Sequence, residues 1–192
     1  VCLAVPIPAA TEAIETYGPR ARAAVIDITG TMADPVAAMA RVVPDRERAS
    51  LHPLFAPANE PGRVPAVVEN RGPTVETVLT ALEARGNEVF ETTPQEHDRA
   101  MATVQARTHA AVLAFALAAE EVPDRFHTPI SAGLADLAAQ VTDGDGRVYA
   151  DIQAAFDGAS DVADAAARIA QADTETFASL YEQASDHTSE DG

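Results

Sequence analysis

Lysine and tryptophan are absent from this chain, and a single cysteine, Cys2, stands among its 192 residues. One cysteine excludes an internal disulfide and any cysteine-built metal cluster. In the apolar run VCLAV it reads as a small core residue. No apolar run is long enough to cross a bilayer and no charged-then-apolar leader is visible, so the expected compartment is the cytoplasm. Basic charge is also scarce: 13 residues, all arginine, face 30 acidic ones, for a net charge of −17. Such a surplus repels nucleic acid and anionic membranes, and neither is an expected partner. Glycine-rich phosphate loops, zinc-ligand spacings and serine nucleophile elbows are missing as well, and no metal is expected.

What is present is a folding composition. Hydrophobic residues make up 47% of the chain, with alanine prominent among them, and the acids are interspersed with Val, Leu and Ile. That pattern belongs to a packed, largely helical chain with an acidic surface, not to a disordered tail. It resembles proteins of salt-loving organisms, in which screening over a few ångströms removes the self-repulsion. The chain opens without Met inside a strand-like run, so further sequence is expected ahead of Val1.

Read in order, residues 1–6 form a strand, 9–18 a short helix and 23–28 a second apolar strand. A helix over 34–43 takes Asp34 as N-cap with Pro35 at its first position. The segment 44–64, rich in Pro, Arg and Glu, reads as a loop; 65–69 is a strand, 73–85 a helix and 88–91 a strand. Short strands alternating with helices predict a parallel sheet. From Thr93 the pattern changes. Thr93, Pro94 and Glu96 are a helix-start signature, and no Gly or Pro occurs again until about residue 121, predicting one helix of roughly 28 residues, about 40 Å long. Further helices are expected from Thr128-Pro129, over 147–157 and over 160–184. The division is an α/β part, residues 1–92, an all-helical part, 93–185, and a flexible tail, 186–192. The run AAVLAFALAA is apolar nearly all round, so its helix is expected to be covered on several sides, either within the chain or by a second copy in a homodimer.

Histidines are the informative titratable residues. His52, in SLHPLFAP, is held by Pro53 at a strand end, where open α/β sheets place their ligands. Its near-neutral intrinsic pKa suits a general base, though a loop histidine without a role has the same local sequence. His109 lies within the long helix, with Gln105 one turn earlier on the same face. His97 is twelve positions before His109, roughly 18 Å along a straight helix, and reads as a cap or interface residue outside the site. His127 and His187 read as peripheral. Asp27 ends the second strand, and the small turn Thr29-Gly30-Thr31 after it is either an ordinary connection or a platform for a flat cofactor ring.

Taken in order, VAVP-I, the strand ending at Asp27, DPVAAM, LHPLF, EHDRAMATVQARTHAAVLAFAL, TPI and YADI resemble the prephenate dehydrogenase family over about residues 1–157. The resemblance implies a Rossmann-type domain binding NAD or NADP, then a helical domain that forms a homodimer. It implies oxidative decarboxylation of prephenate to 4-hydroxyphenylpyruvate on the route to tyrosine, or the equivalent reaction of arogenate. His52 matches the catalytic base, His109 and Gln105 the substrate pocket, and Val5, Pro6 and Thr29 to Thr31 the cofactor side. Three departures accompany it. The glycine-rich phosphate turn does not occur, Gly30 stands where the family commonly has Ser, and an ungapped match puts Ala132 where a substrate-carboxylate Arg is expected. Arg107, Arg147 or a partner-subunit residue is then the candidate replacement. A non-catalytic dimeric relative that binds a small aromatic acid is the competing reading, favoured by Ala132 and opposed by His52 and His109. Dehydrogenases of 3-hydroxy acids normally use a lysine that this chain lacks.

Overall fold

Five strands form one sheet in the order in which they occur along the chain. The computed structural model describes residues 1–189. β1 (Cys2–Leu3), β2 (Ala24–Asp27) and β3 (Glu47–Leu51) run parallel, joined by α1 (Ala10–Tyr17) and α2 (Ala33–Val42). β4 (Arg63–Asn70) returns antiparallel to β3, and β5 (Glu88–Glu91) runs parallel to β4 after α3 (Pro73–Ala84). The fold is therefore α/β with one antiparallel step, not the all-parallel sheet expected from the alternation. The connection 52–62 is too short to carry a crossover helix, so the chain must turn back on itself there.

β2 is buried along its whole length, and its side chains alternate between two cores. Val25 packs with Leu3, Ile14 and Met39 under α1 and α2. Ile26 packs with Leu51, Val64, Val75 and Leu79 under α3. Residues 47–51, expected to be loop, are a strand because the charge that hides it is satisfied locally. The Arg48 guanidinium is buried and donates to the carbonyls of Val43 at 3.1 Å, of Pro44 and of Arg46. Cys2, expected in the core, is exposed.

The two central helices are capped from a distance. Asp34 is not the N-cap of α2; Met32 occupies that position without a side-chain bond of its own. The carboxylate of Asp98 instead accepts the Met32 and Ala33 N–H groups, each at 3.0 Å. Glu47 does the same for Thr74 and Val75 at the start of α3, at 2.7 and 2.9 Å. Both place a negative charge at the positive end of a helix dipole.

The second part begins with α4 (Pro94–Met101), whose N-cap Thr93 accepts the Glu96 N–H. The long helix is not uniform: residues 102–107 are π-helical before α5 (Thr108–Ala118) resumes. α6 (Pro129–Thr142) starts on a Thr128–Ser131 capping box, and α7 (Gly146–Ala155) comes next. The expected helix 160–184 is two, α8 (Ala159–Gln171) and α9 (Thr174–Ser189), divided where Asp173 caps Thr176. α9 carries regular helix to Ser189, into the segment expected to be tail; residues 190–192 of that tail lie outside the described ones. Among the described residues, no helix is long and apolar enough to cross a membrane.

Candidate active site

His52 comes directly after β3, and its backbone N–H is tied to Pro65 of β4 at 3.1 Å. Its ring is nearly buried, at 9% exposure. Nδ1 lies 3.0 Å from Nε2 of His97, and Nδ1 of His97 lies 2.8 Å from Oδ1 of Asp98. On the other side, the Gln105 amide nitrogen is 3.4 Å from His52 Nε2. His97 is 2% exposed and part of this chain of contacts. Sequence spacing sets His97 apart as a cap or interface residue, and the structure corrects that expectation. Distance along one helix measures its separation from His109 but is blind to a third residue, His52, standing between the helix and the sheet.

The contacts fix the proton positions. A carboxylate only accepts, so with one proton on each ring His97 must donate from Nδ1 to Asp98. Its bare Nε2 then accepts the Nδ1 proton of His52. That leaves His52 Nε2 as an unprotonated lone pair, to which the Gln105 NH₂ donates. Burial, with the adjacent His97, pushes the His52 pKa down to about 4 although Asp98 opposes the shift, so the ring stays neutral at ordinary pH. Burial works to raise the Asp98 carboxyl, but bonds from His97, Ala33 and Met32 outweigh it and hold the group below its usual value.

His52 opens onto a cleft of about 1010 Å³ between the sheet edge and the helices. Val5, Pro6, Thr29 and Gly30 line one side of it; Gln105, His109 and Arg147 line the other. His109 stacks edge-on to Tyr149, ring centroids 4.8 Å apart, and burial lowers its pKa. Gln105 and His109, four positions apart, share the cleft across the π-helical stretch 102–107, while Arg107 is not among the residues lining it. Arg107 instead donates through Nε to Asp161 of α8 at 2.9 Å. Gly158 lets α8 begin against this turn, since a Cβ there would lie 3.0 Å from the Ala102 carbonyl oxygen. Two further expectations are corrected: Thr31 is not among the lining residues, and α6 reaches the cleft through Gln140 and not through Ala132. Arg147 is the one arginine lining it among the described residues, beside Asp143, Asp145 and Asp151.

The sheet side suits a flat cofactor ring. Gly30 has φ of +98°, and a Cβ there would stand 3.4 Å from His52 Nε2, closing the face that a ring has to approach. Thr29 is buried and lines this side of the cleft. Deeper in, Asp27 is fully buried and accepts from Ser50 at 2.8 Å. Burial pushes its carboxyl up to about 6, with hydrogen bonding from Ser50 and Thr29 opposing.

A 4-amino-4-deoxyprephenate dehydrogenase from Streptomyces pristinaespiralis is 36% identical over 205 aligned residues, covering 94% of this chain and 67% of that protein. The chain belongs to the prephenate dehydrogenase family. It is thus an oxidoreductase of the dehydrogenase type. Among solved structures, the prephenate dehydrogenase of Aquifex aeolicus, in complex with hydroxyphenyl propionate and NAD+, superposes with a TM-score of 0.64 at 15% identity, covering 98% of this chain and 75% of that one. A putative prephenate dehydrogenase from Corynebacterium glutamicum gives 0.61 at 18% identity, over 100% and 69%. At those identities the likeness is one of fold, α/β and then helices. No family model matches the sequence.

Proposed function

We propose that this protein catalyses the NAD(P)-dependent oxidative decarboxylation of prephenate to 4-hydroxyphenylpyruvate, a step toward tyrosine. The observation that carries the reading is the bare, neutral Nε2 of His52, held at the mouth of the cleft beside the Gly30 ledge. When bound, the nicotinamide supplies the hydride acceptor. His52 takes the proton from the ring hydroxyl as the carbonyl forms. Loss of carbon dioxide then aromatises the ring, so the chemistry needs orientation and one base. Val5, Pro6, Thr29 and Gly30 would hold the nicotinamide end. Gln105 and His109 orient the ring, and Arg147, which lines the same cleft, pairs with a substrate carboxylate.

A second reading has 4-amino-4-deoxyprephenate as substrate. It is favoured by the name of the Streptomyces relative and differs only in the group that gives its proton to His52. The helical part supports a homodimer. Leu117, Ile130 and Tyr181 are 89%, 78% and 71% exposed, an apolar surface that a second copy would cover.

The test is to follow reduced nicotinamide formation with prephenate, arogenate and 4-amino-4-deoxyprephenate in turn. Turnover is expected with prephenate, and His52→Asn should lower kcat by roughly 10²–10⁴-fold while leaving cofactor binding intact. A folded protein that binds dinucleotide and turns over none of the three would sink the reading.

A further inference from the structure

His52 is a poor place to leave a positive charge. It is 9% exposed, it meets no carboxylate among the described residues, and its neighbours on the two sides are the Gln105 amide and the His97 ring. One ring further on, the situation reverses. Nδ1 of His97 touches Asp98, whose two oxygens are held by the N-terminal N–H groups of α2. A charge there has an opposite charge at contact distance, and Asp98 stays ionised because the helix dipole favours it.

We propose that His97 and Asp98 form a proton store behind His52, so that the imidazolium of the catalytic cycle rests on His97 and not on the base itself. The inference builds on His52 being the base and goes beyond it. The ring O–H bond breaks and its proton joins His52 Nε2, while the electron pair forms the carbonyl and the hydride leaves to the nicotinamide. The His52 Nδ1–H bond then breaks and its proton joins His97 Nε2 across 3.0 Å. When the carbon–carboxylate bond breaks and its electron pair returns to the ring, the ring oxygen takes a proton back and both transfers reverse. Prephenate, NAD(P)+ and the products balance without a net proton, so a store that returns what it received is what this reaction needs.

The titratable groups facing His97 are His52 after β3 and Asp98 on its own helix. Because Asp98 also caps α2 just after Thr29-Gly30-Thr31, a single carboxylate holds both the relay and the turn on which the cofactor ring would lie. His97 and Asp98 are thus positioning residues that act through His52.

Two variants separate the roles. In His97→Gln the new side-chain amide can still accept the His52 Nδ1 proton, keeping the base's tautomer, but it cannot hold a second proton. Single-turnover hydride transfer should slow by roughly 10²-fold or more with KM little changed. The solvent-isotope proton inventory should pass from curved, with two protons in flight, to linear. Asp98→Asn presents a donor to His97 and should invert both tautomers. Long-range ¹H–¹⁵N spectra of the ligand-free protein then show the His52 proton moved from Nδ1 to Nε2. A wild-type His52 protonated on Nε2 would overturn the proposal. So would an unslowed His97→Gln with a curved inventory, a result that leaves His52 standing as the base. Full activity in His52→Asn would instead strike the underlying reading.

Discussion

The two parts of the molecule bury their apolar residues very differently. In the sheet part, Ile14, Val25, Met39, Val64 and Val75 are each 0% exposed and belong to two cores on opposite faces. In the helical part the core is Met101, Ala106, Ile152 and Phe156, while Leu117 and Ile130 face solvent. The first part is complete as a packing problem; the second leaves large apolar side chains exposed. Yet chemistry crosses the divide. His52 and Gly30 come from the sheet side, and His97, Asp98, Gln105 and His109 from the helices. The candidate site lies at the seam, and Asp98 ties the two parts together there by capping α2.

This contrast can be broken most directly in the sheet core. Met39→Ala removes a fully buried side chain and should cost about 2–5 kcal/mol of stability. In thermal or urea unfolding the loss should not depend on protein concentration; a loss under about 1 kcal/mol would mean that the core is looser than its burial implies. Leu117→Glu tests the other part. Its parent side chain is 89% exposed, and burying it once in each copy of a two-fold dimer contributes about 3–6 kcal/mol, roughly 10²–10⁴-fold in Kd. Light scattering across a dilution series should show the variant monomeric where the parent is dimeric. A monomeric parent would refute the homodimer.

A third test uses Asp27, which lies wholly within the sheet part. Its folded pKa, about 6, is raised above the ordinary 3.8. The stability held by the neutral carboxyl is therefore fully present below 3.8 and is lost as pH rises through about 6. About two pKa units correspond to about 3 kcal/mol. Asp27→Asn should flatten the decline in Tm between about pH 4 and 7; identical slopes in both proteins would remove Asp27 as its source. The smallest effect belongs to the helices. Thr128→Ala breaks the capping box of α6 and should cost about 1 kcal/mol. Faster hydrogen exchange at the start of α6, with the amides of β2 unchanged, would show how far the two parts open independently.

Much of the secondary structure is legible in the sequence. β5 falls at 88–91 as expected, and the starts at Thr93 and Thr128 follow from capping chemistry that is local along the chain. The features that escape are non-local. β3 is hidden by Arg48, whose charge is satisfied by carbonyls that only the folded turn brings to it. The cap of α2 comes from Asp98, 66 residues beyond Met32. The π-helical turn carries no Gly or Pro to mark it, and it is stabilised by the fit of Gly158 and α8 against it.

The sequence by itself determined which side chains could do the work. His52 behind a proline-stiffened strand end, His109 and Gln105 one helical turn apart, and the small Thr29-Gly30-Thr31 turn are all set by spacing of a few residues. Tertiary structure decided which of them meet and how they are charged. Burial holds His52 neutral, the 3.0 Å contact brings in His97, and the ion pair with Asp161 takes Arg107 away. Those outcomes depend on desolvation and on contacts between elements, and neither exists until the helices close over the edge of the sheet.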